Sequence, residues 1–237
     1  GVGMVLGPGV NIKRSPLCGR NFEYFSEDPL LSGKLAAAMI RGIQSTGVSA
    51  CVKHFAANSQ ELRRMATDSV MDERTLREIY LPAFETAIKE GGVRSLMTAY
   101  NRLNGTYCNE NEHLLRDILR GEWGFDGLVV SDWGAVVNEA AAVKAGLDLA
   151  MPEGEIYKRL KLSYDKGEIT ETEISAAADR VAKFVLDCVD NRKNYVEPFS
   201  RDSALALVKT AAKESAVLLK NENNFFPLKS NEKILFT

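Results

Sequence analysis

Asp132 follows a short apolar run, Leu128, Val129 and Val130, and stands directly before Trp133 and Gly134. The run reads as a buried strand, so a carboxylate sits where a buried strand stops. In an α/β barrel the carboxyl ends of the strands carry the chemistry, and a polar residue there binds or reacts. Aspartate is also a preferred helix N-cap, and the position taken alone fits either role. Other polar residues end runs of the same kind. Lys53 and His54 close the run at 48–55, with Arg63 and Arg64 in the polar stretch behind it. Tyr100 closes the run at 93–100, and Arg20 lies in a long irregular segment after the first run. One carboxylate, several cations, a histidine and two aromatics suit a polyhydroxylated ligand. Charged donors bind hydroxyls, and a ring stacks on the apolar face of a sugar. An anionic phosphate ester would suit the same set. Each residue also has a purely structural explanation. Arg20 can pair with Glu23, Glu27 or Asp28, His54 and Tyr100 can be core, and Arg63 with Arg64 can form a solvated face. What favours chemistry is that all of them fall at one face of a barrel.

The elements that must hold these residues alternate. Residues 1–9, 48–55, 93–100, 127–132 and 147–151 read as strands. Residues 29–46, 72–90, 111–123, 136–145, 154–166 and 172–191 read as helices. Leu31, Leu35, Met39 and Ile43 recur at four-residue spacing in the first helix, and Thr170 with Glu173 forms a capping box at the last. Alternation of this kind means parallel βαβ units. Five strands without a GxGxxG favour a piece of a (β/α)8-type barrel over a dinucleotide-binding sheet. The long polar segments at 11–28 and 56–68 have the length of functional loops. Residues 1–189 are thus read as most of a barrel, incomplete at its N-terminus. Residues 190–202, polar and containing Pro198, read as a linker. Residues 203–237 read as the start of a second α/β domain, with a helix at 203–214, a strand at 216–219 and a last strand at the end. Both ends of the sequence fall inside strand-like runs, so it is expected to be a piece of a longer protein. Localisation stays open, tilting to the cytoplasm.

Composition sets the outer bounds. The 237 residues are 45% hydrophobic with a net charge of −2, which gives no field for nucleic acid or a membrane surface. No apolar run approaches the ~20 residues of a membrane-spanning helix. Cys18, Cys51, Cys108 and Cys188 are widely spaced with no CxxC, and read as reduced thiols rather than a zinc site. No metal and no cofactor are expected, and the oligomeric state is not legible.

The longer segments are recognisable. Gly19-Arg-Asn-Phe-Glu-Tyr-Phe-Ser-Glu-Asp-Pro29, Lys53-His-Phe-Ala-Ala-Asn58 and Ser131-Asp-Trp-Gly-Ala135 resemble the signature segments of glycoside hydrolase family 3, the β-glucosidase type. Asp72-Glu-Arg-Thr-Leu-Arg77, Tyr100-Asn-Arg-Leu-Asn-Gly105 and Ala216-Val-Leu-Leu-Lys-Asn221 match in order and spacing too. The resemblance implies a (β/α)8-type barrel followed by an α/β sandwich domain, and a reaction that retains anomeric configuration. By the resemblance, Asp132 is the nucleophile of a covalent glycosyl–enzyme intermediate. Arg20, Lys53, His54 and Arg64 match positions that bind sugar hydroxyls. Tyr100 matches a residue beside the nucleophile, and Trp133 one that packs against the ring. The implied partner is a carbohydrate, a β-glucoside or oligosaccharide. A nucleophilic carboxylate must be ionised, which neighbouring lysine and arginine favour.

Lys53 and His54 are adjacent, and a regular strand would send them to opposite faces. Both reach one sugar only if the backbone is irregular, so a strained or non-standard peptide is expected there. The N-acetylhexosaminidase branch of the family carries His-Phe-Pro-Gly-His after the lysine and an Asp-Ser-His beyond. Here the equivalents are His54-Phe-Ala-Ala-Asn58 and Asp68-Ser-Val70, so that branch's acid/base pair is absent. The resemblance places one sugar-clasping aspartate before Gly1 and the glucosidase acid/base glutamate after Thr237. Alternatives are a β-xylosidase or other exo-glycosidase of the same family, a non-catalytic sugar-binding fragment, and an aldolase-type lyase with Lys53 as Schiff-base nucleophile.

Overall fold

The structure, a computed structural model, describes residues 2–152, 154–192, 200–229, 233 and 235. The chain forms two compact units, Gly1–Val196 and Glu197–Thr237. The first is built on a parallel sheet of four strands, β1 (Met4–Val5), β2 (Ser49–Phe55), β4 (Ser95–Thr98) and β7 (Leu128–Val130), in the order β1-β2-β4-β7. Cys51 pairs with Ser95, which pairs with Leu128, so the strands run in step. Their residues are almost all buried, as in a sheet covered on both faces. One face carries Val52, Leu96 and Val129 into the main core beneath the helices. The other carries Cys51, Met97 and Val130 into a smaller cluster with Met4, Leu6, Leu149 and Met151. Lys53 and Asp132 lie two residues beyond Cys51 and Val130, on this second, inward face.

Helix α1 (Pro29–Gln44) is capped by Asp28, whose side chain accepts from Leu30 and Leu31 N–H, with Pro29 at its first position. The four-residue stripe identifies this helix but not its buried side. Ser32, Gly33, Ala36, Ala37 and Ile40 are buried, while Leu31, Leu35 and Met39 are exposed. The reason is close packing on α3 (Pro82–Lys89): a Cβ on Gly33 would lie 2.9 Å from that of Thr86.

The helix expected over 72–90 is three pieces: α2 (Glu73–Thr75), a π-helical stretch Leu76–Tyr80, and α3. Pro82 has no N–H and resists the preceding turn, so the ladder shifts; Leu81 N–H reaches Leu76 O at 3.0 Å, five residues back. The expected helix over 111–123 is likewise π-helical over His113–Glu122. The expected loop after the third strand contains a hairpin, β5 (Arg102–Leu103) and β6 (Thr106–Tyr107), joined to β3 (Asp68–Ser69). Asn104 and Gly105 turn it with φ of 50° and 91°, the positive values an Asn-Gly turn supplies.

The strand expected at 147–151 is reduced to one bridge, Val130 to Leu149. Asp148 N–H donates to Val129 O at 3.0 Å, and its fully buried carboxylate accepts from Val129 N–H at 2.8 Å, Arg120 at 2.7 Å and Arg180 at 2.6 Å. Helices α4 (Glu139–Ala145), α5 (Ile156–Asp165) and α6 (Glu171–Arg192) follow. The capping box heads α6: Glu173 Oε2 accepts from Thr170 N–H at 2.8 Å, and Thr170 Oγ1 accepts from Glu173 N–H at 3.2 Å. At its far end Cys188 Sγ donates to Gly3 O at 3.5 Å.

The second unit shows helix α7 (Arg201–Glu214), capped by Ser200. Residues 216–219, expected as a strand, form no ladder and are exposed, because no described residue of this unit offers them a sheet edge. The expected last strand and most of the expected linker lie outside the described residues.

Candidate active site at the carboxyl ends of the strands

Every residue singled out by the sequence comes from a strand's carboxyl end or the loop past it, at one end of the sheet. Asp132 follows β7, with 8% of its surface exposed. Its Oδ1 accepts from Trp133 N–H at 2.8 Å, while the buried Oδ2 has no hydrogen-bond partner. Tyr100 follows β4, and its hydroxyl donates to Trp133 O at 2.9 Å. That bond ties the two strand ends together. The Trp133 side of this turn is open, with the residue 43% exposed. Gly134 donates to Met151 O at 2.7 Å and has a φ of 72°, which lets the chain turn directly behind the tryptophan.

Lys53 and His54 end β2, and the irregularity expected between them is present: their peptide is cis, as is Phe55–Ala56. Asn11 clasps the segment, donating to His54 O and accepting from His54 N–H, each at 2.8 Å. His54 is 1% exposed, and both ring nitrogens are engaged. Arg20 Nη2 lies 2.8 Å from Nε2 and Tyr24 Oη 3.2 Å from Nδ1. Because a guanidinium only donates, Nε2 is the acceptor and the proton sits on Nδ1, facing Tyr24. Tyr24 in turn donates to Asn58 O at 3.3 Å. Burial first, then the charges of Arg20, Lys53 and Arg64, push the His54 pKa down to about 2. The 3.5 Å approach of Asp132 Oδ2 to His54 Nε2 is therefore not an ion pair, since the ring is neutral.

The cations stand around this centre. Arg20 pairs with Glu23, as its own loop allowed, and also donates to His54. Lys53 Nζ lies 3.1 Å from Glu23 Oε2. Lys53 Nζ is thus engaged with a carboxylate, whereas a Schiff-base lyase needs the amine free to attack a carbonyl. Arg64 donates to Glu61 at 2.7 Å and stacks its guanidinium 4.1 Å over the Tyr100 ring. Burial, and then the Asp132 carboxylate, raise the Tyr100 pKa, which keeps its phenol protonated. Arg63 takes a positive φ of 55° and has no ion pair among the described residues, consistent with a solvated side chain. Glu23, Tyr24, Glu61, Asn11 and Asn58 belong to the same cluster, and sequence reasoning gave them no role in it. Glu23, Tyr24 and Asn58 were visible inside the quoted signature segments, and Glu23 also as one of three acids near Arg20.

The two histidines are expected to titrate on opposite sides of 6.5. Burial opposes the charge on His113, but Asp117 and Glu73 outweigh it and raise its pKa. His54 is depressed, so the folded state binds fewer protons than the unfolded one between about pH 2 and 6.5. Its contribution to stability is complete above pH 6.5 and is lost as the pH falls through that window, with a slope of at most about 1.4 kcal/mol per pH unit. In an NMR titration from pH 8 to 4 the ring signals lost in His54→Asn should stay fixed and those lost in His113→Asn should move. A His54 midpoint near 6.5 would refute the neutral-ring geometry.

Among the described residues no group of three or more His, Cys, Asp or Glu side chains is placed to hold a metal ion. Among the described residues no helix is long and apolar enough to cross a membrane. Cys18, Cys51 and Cys108 are buried free thiols.

An arc of parallel strands with helices outside, and a buried carboxylate among cations and amides at the strands' carboxyl ends, defines part of an α/β-barrel protein of the (β/α)8 type. Residues 1–184 match the family model described as the glycosyl hydrolase family 3 N terminal domain, and the chain belongs to that family. It is 51% identical, over 97% of its length and 31% of the relative's, to the thermostable beta-glucosidase B of Acetivibrio thermocellus. It is 44% identical, over 96% of its length and 30% of the relative's, to an exo-alpha-(1->6)-L-arabinopyranosidase of Bifidobacterium longum. Beta-glucosidase 3B of Thermotoga neapolitana, solved with alpha-D-glucose, superposes with a TM-score of 0.87 at 42% identity, covering 98% of this chain and 34% of that one. The chain thus spans about a third of the length of the relatives it matches.

Proposed function

We propose that the full-length protein is a retaining exo-β-glycosidase, releasing a terminal non-reducing β-D-glucosyl or related residue through a covalent glycosyl–enzyme intermediate. The observation that carries this reading is Asp132 Oδ2, a buried carboxylate oxygen without a partner at a strand end. In the first step it attacks the anomeric carbon as the aglycone oxygen leaves with a proton; water then releases the sugar. Arg20, Lys53 and Arg64 supply donors for the hydroxyls. His54 acts beside them as a neutral ring, Tyr100 holds the turn that carries the nucleophile, and the open Trp133 ring faces the apolar side of the sugar. The names of the relatives favour glucose, and the arabinopyranosidase keeps other sugars of the same family in play. Residues 1–189 would then be the larger part of the catalytic barrel, 190–202 the linker, and 203–237 the opening of a second domain. Carbohydrate is the partner; no nucleic acid or membrane is involved.

Lys53→Ala should weaken transition-state binding by about 2–4 kcal/mol, the scale of a charge-assisted bond lost in a closed site. His54→Ala should lose less, because a neutral imidazole makes a weaker bond. Both are read as kcat/KM on an aryl glycoside with the full-length protein. If neither changes by a factor of two, the sugar-site reading is wrong.

A further inference from the structure

Five charged side chains run across the site in alternating sign. Lys53 meets Glu23, Glu23 meets Arg20, Arg20 meets Glu61 at 3.6 Å, and Glu61 meets Arg64 at 2.7 Å. Glu23 and Glu61 each link two of the sugar-binding cations, and Glu23 is the one that reaches Lys53. Its Oε1 accepts from Arg20 and its Oε2 lies 3.1 Å from Lys53 Nζ. All three side chains are mostly buried, at 14–19% exposure, so solvent screens them little.

Without the carboxylate, an ammonium and a guanidinium at this spacing repel. Each also ends a long, flexible stem that loses rotamer entropy on being fixed. The carboxylate itself is anchored from behind. A Cβ on Gly9 would lie 3.3 Å from Glu23 Cγ and 3.0 Å from the Tyr24 ring, so both side chains lie directly over that backbone. Tyr24 is pinned in turn by His54 and Asn58. The loop therefore presents Glu23 from a fixed base beside Arg20, whereas Lys53 comes from a strand.

We infer that Glu23 is a positioning residue: one oxygen on each cation, it holds Lys53 and Arg20 as a single unit for the hydroxyls of one glycosyl ring. The inference rests on the sugar-site reading, and its test separates the two. In the full-length protein, Glu23→Gln keeps the size of the side chain but removes the charge and turns an amide NH2 toward one of the cations. It should lower kcat/KM on an aryl glucoside by roughly 10–100-fold, the range of a lost charge-assisted contact. Glu23→Asp, which keeps the charge but withdraws it by one methylene, should fold as the parent does and lose less.

The decisive readout is coupling. If Glu23 acts through Lys53, the Glu23→Gln/Lys53→Met double variant loses at least fivefold less than the product of the two single losses. A residue that only stabilises the loop would give losses that multiply, and losses multiplying within twofold overturn the inference. So does Glu23→Gln within twofold of the parent while Lys53→Met is impaired. If Lys53→Met itself is unimpaired, the sugar-site reading falls and takes this inference with it. Should Glu23→Gln fail to fold, the same cycle is run with Glu23→Asp and judged by the same criterion.

Discussion

Replacing Asp132 with glycine in the full-length protein is expected to lower β-glucoside turnover by roughly 10³-fold or more, the scale of removing a covalent nucleophile. The geometry makes this residue hard to replace. Its Oδ1 is held by Trp133 N–H at 2.8 Å, which aims the free Oδ2 away from the turn. The other carboxylates of the cluster, Glu23 and Glu61, are already bound to Arg20, Lys53 and Arg64. Neither can leave its cations to attack without unpairing them. Glycine leaves a space at the strand end that a small anion can enter. Added azide should therefore restore part of the release from an activated glycoside and give a glycosyl azide of inverted configuration. A fluorinated sugar that traps the covalent intermediate and labels any residue other than Asp132 would overturn the assignment.

Residues 1–237 on their own are expected not to hydrolyse an unactivated β-glycoside. Retaining cleavage needs a second carboxyl about 5–5.5 Å from the first, protonated so that it can give its proton to the leaving oxygen. The acids near the strand ends are committed elsewhere. Glu61 accepts from Arg64 at 2.7 Å and from Asn58 at 3.0 Å, so both of its oxygens are occupied. Asp68 accepts from Gly105 N–H at 3.0 Å in the small sheet, and Glu110 from Asn138 N–H at 2.9 Å. Glu155 is exposed and pairs with Lys158, while Glu153 lies outside the described residues. Cellobiose should thus be inert to this segment. A dinitrophenyl glucoside, whose leaving group needs no proton, is the only substrate on which it could show turnover. Cellobiose hydrolysis by the segment at the rate of the full-length protein would disprove the claim and point to Glu153 or Glu155.

The site was more legible than the fold around it. A carboxylate after an apolar β-branched run, and a lysine after another, are local patterns that survive folding, and both residues lie where that reasoning put them. Even the adjacency of Lys53 and His54 announced an irregular backbone. The acids that organise the cations were not legible, because sequence separation carries no information on the approach of Glu61 to Arg20 or of Glu23 to Lys53. The buried side of α1 was missed because packing is decided by the partner. Gly33, Ala36 and Ala37 admit α3 closely, and no stripe of large residues advertises that. The π-helical turn before Pro82 could have been expected, since proline's missing N–H is a local fact. The Asn104-Gly105 hairpin could have been as well, from the dipeptide alone.

The contact between Cys188 and Gly3 joins residues 185 positions apart. It has a consequence for how the chain is made. At the ~5–20 residues per second of protein synthesis, roughly 10–40 s separate the emergence of the two partners. During that wait β1 can pair with β2, but the end of α6 that meets Gly3 does not yet exist. Until then Gly3 O lacks this donor. The interval between β1 and α6 is thus the time over which this contact stays unmade during synthesis. Slowing translation between the codons of β2 and α6 should lengthen that interval.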